Sequence, residues 1–211
     1  IRELSGGNPL YALELARAHA GSGDDPGADS IPVPDSLGAL IQERVGRLSP
    51  TAGAVALAAA SAFQPTTRVV SSVLGTTLDV SAGLAEARGA GVLEERPDGR
   101  LAFTHPLLSW AVYSAASSER RLAMHGRLAE VVEDPDERVR HSAIVTSAPA
   151  EAIAADLEDV ARRVRDRGAP ETASDLTLEA IRLTPPDDAV ALGRRTLAAA
   201  EYAIQAGDSR R

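Results

Sequence analysis

Val92-Leu93-Glu94-Glu95-Arg96-Pro97-Asp98-Gly99-Arg100-Leu101-Ala102-Phe103 interrupts an otherwise helical pattern, and its reading decides the fold. Through most of the chain apolar residues recur about every 3.6 positions, the spacing of one helix face. Here the period falls to about 2, and Pro97-Asp98-Gly99 supplies turn chemistry between two short runs. The stretch predicts a β-hairpin. Upstream, Ser49-Pro50 caps a helix that runs through an Ala-rich segment to about Phe63, and helices over 69–74 and 80–90 follow. Downstream, a helix from about His105 to Ala116 turns Leu107, Leu108, Ala111, Val112 and Ala115 inward. Three helices followed by a two-stranded wing make the order of a winged-helix domain, expected over residues 35–116.

Outward from this centre, Pro34-Asp35-Ser36 is a capping signal ahead of Leu37, Leu40, Ile41, Val45 and Leu48 at helical spacing. Residues 21–34 are rich in Gly, Asp, Ser and Pro and read as a loop or disordered linker. Before them, Asn8-Pro9 opens a helix with Leu10, Leu13 and Ala16 on one face. Toward the C-terminus the reading is helix after helix over 117–211. Ser117/Ser118 opens one that presents Leu122, Leu128, Val131 and Val132. Asp134-Pro135-Asp136-Glu137 is a capping box for the next. Leu157, Val160, Ala161 and Val164, then Ala173, Ala180 and Pro185, match the tetratricopeptide template, with Gly168 in the turn. A further first helix begins near Asp188 with Leu192, Leu197, Ala200 and Ile204, and stops at Gly207. This half-repeat leaves an apolar face uncovered. With the start at Ile1, which lacks a secretory leader, it gives the expectation of an internal piece cut from a longer protein. The fold class expected is mainly α: a winged-helix domain with one hairpin, then a truncated run of tetratricopeptide-like α-hairpins.

Composition narrows the chemistry. Hydrophobic residues are 44% and aromatics 3%, so the core must be built from Ala, Leu and Val. Cys is absent, which removes thiolate catalysis, disulfides and cysteine metal sites and fits a cytoplasmic location. Lys is absent too, since all 22 basic residues are Arg. A phosphate loop of the G-x-x-x-x-G-K-[ST] kind and Schiff-base chemistry both need a Lys. A formal charge of −8 argues against a nucleic-acid surface. No H-E-x-x-H pair, G-x-S-x-G elbow or G-x-G-x-x-G loop occurs. The expectation is a chain that is not an enzyme, has no catalytic or metal-binding residues and spans no membrane.

Several strings together carry a resemblance. Leu4-Ser5-Gly6-Gly7-Asn8-Pro9-Leu10-Tyr11, then Val33-Pro34-Asp35-Ser36-Leu37, Ile41-Gln42-Glu43-Arg44-Val45-Gly46-Arg47-Leu48 and Phe103-Thr104-His105-Pro106-Leu107-Leu108 are similar to LuxR-type large ATP-binding transcriptional regulators. These belong to the signal-transducing P-loop ATPases. The resemblance is strongest over 1–132. It implies that residues 1–34 close an ATPase lid and that 35–116 form the winged helix. It also implies that 117–211 begin a repeat region binding an effector or protein. The chain's own ATPase core, with ATP or ADP and Mg, and a C-terminal DNA-binding domain would lie elsewhere in the full-length protein.

Within that resemblance, Gly7-Asn8-Pro9 matches a lid segment that packs near the nucleotide base, and His105 matches a histidine that reaches a nucleotide phosphate. A helix start suits an anion because its N–H groups are unpaired. By local statistics alone Asn8-Pro9 is a cap with a first-turn proline, and His105 a helix cap that bonds the wing. His125 and His141 read as helix-surface residues, Trp110 as a core or interdomain anchor, and the Arg pairs at 120–121, 194–195 and 210–211 as solvated faces. The function expected is a regulatory relay that couples the nucleotide state of the ATPase core to effector or partner binding, without contacting nucleic acid itself. The alternative is a winged-helix DNA-binding protein with a helical dimerisation tail. Against it, residues 35–110 hold seven acids and six Arg, and the would-be recognition helix carries Asp79 and Glu86 against Arg88 alone. A pure repeat scaffold is disfavoured because fewer than two repeats are recognisable.

Overall fold

Capping residues set the helix boundaries. The computed structural model describes residues 35–207, in which ten helices are joined by a single hairpin. They are α1 (Asp35–Gly46), α2 (Pro50–Ser61), α3 (Thr67–Leu74), α4 (Val80–Gly89), β1 (Leu93–Glu95), β2 (Leu101–Phe103), α5 (Pro106–Ala115), α6 (Ser118–Val131), α7 (Pro135–Val145), α8 (Glu151–Asp166), α9 (Pro170–Leu183) and α10 (Ala189–Gln205). The chain is thus mainly helical with one small antiparallel sheet. It divides into two compact units between Met124 and His125. Gly7, Asn8, Pro9, His19 and the Arg pair at 210–211 lie outside the described residues.

In the first unit, Ser49 accepts the Ala52 N–H at 3.2 Å and Pro50 starts α2 with its φ already set. α2 buries Ala52, Val55, Ala56, Leu57, Ala58 and Ala59, because α3, α4 and α5 all pack against it. Its small side chains let α4 approach closely. A Cβ added at Gly83 would stand 3.0 Å from Val55 Cγ2 and 3.2 Å from the Thr51 carbonyl. Thr66 caps α3 through the Val69 N–H, and Asp79 caps α4 through the Ala82 N–H. Gly75 and Gly99 take φ of +67° and +76°, the left-handed turns that release α3 and reverse the hairpin.

The hairpin pairs Leu93 with Phe103, Glu94 with Ala102 and Glu95 with Leu101, so Leu93 and Leu101 point into the core. A third extended piece joins it. Leu101 donates its N–H to the Pro65 carbonyl at 2.9 Å, and Thr66 bridges Arg100. This short edge ahead of α3 was not legible as a strand. α5 buries Leu107, Leu108, Ala111 and Val112 as expected, but Ala115 is exposed and Ala116 is buried beyond the helix end.

In α6 the expected stripe is shifted. Leu128 and Val132 are buried as expected, but Leu122 is exposed, and Met124 and His125 are buried in its place. Met124, His125, Leu128 and Val132 recur at helical spacing, whereas Leu122 lies two positions, roughly 200°, from Met124. In the second unit α8 folds back on α9 around Gly168, whose φ is +86°. Leu157, Val160 and Ala161 of α8 meet Ala173, Leu176, Ala180 and Leu183 of α9 in one cluster that includes Tyr202 of α10. Each fully buried Leu there contributes about 2 kcal/mol. α10 turns Ala191, Arg195, Ala199 and Tyr202 inward, and Leu197 and Ile204 outward. Among the described residues no helix is long and apolar enough to cross a membrane.

Candidate functional site

His105 is held by the junction of hairpin and α5. Thr104 ties that junction to the chain before β1, its N–H donating to the Val92 carbonyl and its hydroxyl to the Gly91 carbonyl. His105 then adopts extended backbone as the N-cap of α5, with Pro106 at the first helical position. Its Nδ1 accepts the Leu107 N–H at 3.2 Å. An accepting Nδ1 places the ring proton of the neutral form on Nε2. The half-buried ring therefore caps α5 through one nitrogen. That geometry makes the ring the cap of α5, at a helix start of the kind that accepts an anion. Gly7, Asn8 and Pro9, the other expected members of the site, fall outside the described residues.

At the far end of α5 lies an apolar groove of about 340 Å³, lined by Val45, Leu48, Gly53, Leu57 and Val112 with Arg120 among its walls. At its edge Ser49 donates both N–H and Oγ–H to the Glu86 carboxylate, each at 2.6 Å. The hydroxyl bond chiefly, then the N–H bond, holds that carboxyl below its ordinary range. A carboxylate stabilised in this way is a poor base, so the pair is a helix-to-helix tie rather than a nucleophile with its activator.

Two polar clusters in the second unit overturn surface readings. His125 and His141 are both buried, with Nδ1 atoms 2.9 Å apart, and His141 Nε2 lies 3.5 Å from Oε1 of buried Glu137. The sequence pattern hid them because each sits on a helix otherwise marked by Arg and Glu. Arg195 is fully buried, donating to Glu151 at 2.6 and 2.8 Å, to Glu158 at 3.0 Å and to Thr184 at 2.6 Å. Arg194 holds the same Glu158 from its exposed side. Arg195 is thus a staple of α8, the α9 end and α10, not a solvated face.

Among the described residues no group of three His, Asp or Glu is arranged to hold a metal ion. The exposed face of α4 presents Ser81, Ala82, Ala85 and Gly89, while Arg88 faces Glu95 at 3.3 Å. Comparison with known protein families, characterised proteins and solved structures finds no match to this chain.

Proposed function

We propose that this chain is the signal-relay segment of a LuxR-type ATP-dependent transcriptional regulator, in which a winged helix reads the nucleotide state of an ATPase core and tetratricopeptide-like hairpins pass it to an effector or partner. The order α2, Pro65–Thr66, α3, α4, hairpin, with Thr66 bridging Arg100, supports the winged-helix assignment. The turn at Gly168 and the small residues Ala173 and Ala180 between α8 and α9 support the repeat assignment. The observation that carries the relay itself is His105, whose ring caps α5 through Nδ1 and so stands at a helix start, where a phosphate is accepted. The DNA-binding reading finds little support in α4, whose outward side chains are short and whose one Arg faces a carboxylate.

The test uses the longer protein that the reading requires. His105→Ala weakens retention of bound nucleotide there by roughly ten- to a hundredfold, the value of about 1.5–3 kcal/mol for a hydrogen bond to a charged group. In the 211-residue chain alone the same change costs about 1 kcal/mol, a lost cap. Unchanged nucleotide exchange alongside an unfolded short chain makes His105 purely structural and ends the sensor reading. Calorimetric titration of the short chain with ATP is expected to show no micromolar binding. Tight binding with turnover contradicts the whole assignment.

A further inference from the structure

The groove of the first unit lies among the end of α1, the start of α2 and the end of α5. Leu57 and Val112, both buried, form its floor, and Val45 and Leu48, half-buried, stand in its walls. At about 340 Å³ it falls within the range of small-molecule sites, which are concave and mostly apolar with a few placed polar groups. Gly53 opens it. That residue stands inside the Ala-rich α2, where glycine is disfavoured against alanine. A Cβ there would meet nothing within 4 Å, whereas Val55 and the Thr51 carbonyl crowd the same atom at Gly83. Packing therefore asks for a glycine at 83 and not at 53, where a side chain would take up groove space.

The polar groups at the α2 end of the groove are already spent. Ser49 gives its N–H and Oγ–H to Glu86 and accepts the Ala52 N–H, and the Gly53 N–H donates to the Ser49 carbonyl at 2.8 Å. The Glu86 charge is thereby answered at the start of α2. Arg120 differs. It is exposed on the groove's rim, and its backbone N–H donates to Ser117 Oγ. Among the described residues no carboxylate pairs with its guanidinium, whereas Arg47, Arg88 and Arg100 of the same unit each hold one. The adjacent Arg121 is stacked over the Tyr113 ring. An apolar trough with one unanswered cation at its edge is complementary to an apolar body with one anionic end.

We propose that this groove binds a small aliphatic carboxylate, with its hydrocarbon chain on Leu57 and Val112 and its carboxylate on Arg120. The planar guanidinium fork matches a carboxylate through two parallel hydrogen bonds. Among the described residues no aromatic side chain lines the groove, so nothing there stacks a flat ring, and a flexible aliphatic chain fits instead. The site stands on these residues alone and holds whether or not the chain relays a nucleotide state.

Calorimetric titration of the 211-residue chain with octanoate is expected to show one site, with a dissociation constant on the order of 0.1 mM. Hexanoate, shorter by two methylenes, is expected to bind roughly tenfold more weakly. Arg120→Gln is expected to weaken octanoate about tenfold and to leave the weaker binding of uncharged octanol unchanged. Gly53→Leu, at a position where an added Cβ meets nothing, is expected to abolish binding of both with helical circular dichroism unchanged. Octanoate bound equally by the parent chain and a folded Gly53→Leu lies elsewhere, and that result overturns the proposal. Octanol bound as tightly as octanoate also overturns it, because Arg120 then selects nothing, as does the absence of saturable binding in the millimolar range. Should Gly53→Leu disturb the fold, the contrast between octanoate and octanol in Arg120→Gln decides alone.

Discussion

Single residues decide more here than their type announces. The contact between His125 and His141 has room for one proton between two Nδ1 atoms, so one ring donates and the other accepts. Glu137 near His141 Nε2 favours a proton there, which leaves His141 Nδ1 as acceptor and makes His125 the Nδ1–H donor. Long-range nitrogen–proton NMR at about pH 8 is expected to find His125 as the Nδ1–H tautomer and His141 as Nε2–H. Two rings in the same tautomer contradict the contact. Arg195 allows a comparison with its neighbour. Arg195→Ala removes a buried cation that satisfies two carboxylates and a hydroxyl. The expected cost is about 2–3 kcal/mol, below the usual figure for buried pairs because Glu151 is partly exposed. Arg194→Ala, at a half-exposed site, costs less than about 1 kcal/mol. Equal losses in chemical denaturation of the two variants would remove the distinction. Neither cluster was legible in advance. Arg and His at helical spacing look the same whether a partner helix covers them or water does, and only tertiary contact separates the cases.

At the scale of elements, legibility followed local chemistry. The hairpin was readable because Pro97-Asp98-Gly99 and the change of period agree. Capping at Ser49 and Asp134 was readable because a short polar side chain satisfies its own helix start. The Pro65–Thr66 edge was not, since two residues carry no period and pair only through the distant Gly99–Leu101 backbone. The direction of α10's faces was half readable. Large aliphatics marked a stripe, while the buried side is held by Ala, Tyr and Arg195, which no hydropathy pattern selects. Of the candidate site, the His105 cap was legible from His-Pro at a helix start. Glycine gives the test at this scale. Gly83→Ala gains helix propensity but drives a Cβ into Val55 and the Thr51 carbonyl, so α2 and α4 must part. A net loss of about 1–2 kcal/mol is expected, followed by fluorescence of Trp110 in the same unit. Gly126→Ala in α6 meets nothing within 4 Å and is expected to gain about 0.5–1 kcal/mol. A stabilising Gly83→Ala means the two helices are not in the close contact described.

For the molecule as a whole, charge sets its response to acid, through two separable effects. At −8 with an isoelectric point near 5.0, the chain loses net charge as pH falls to 5, which lowers solubility without touching the fold. Stability responds later. Hydrogen bonds from Arg163 first, then its charge and Arg167, hold the Asp136 carboxyl below its ordinary range. Arg195 does so for Glu151, and Arg194 with Arg195 for Glu158. A carboxyl depressed in the folded state is protonated more readily in the unfolded chain. Its contribution is therefore complete above the unfolded value of about 4 and is lost as pH drops through the lower folded one. All three tie together helices of the second unit, where they join α7, α8 and α10. Urea midpoints measured on dilute protein are expected to stay level from pH 7 to 5 and to fall below about pH 4. The double change Glu151→Gln with Glu158→Gln is expected to lower the neutral midpoint and flatten that fall, because the protons whose uptake drives it no longer have sites. A midpoint that declines as steeply in the double variant as in the parent assigns the acid response to other groups. It would also leave the Arg195 staple without the energetic role its geometry implies.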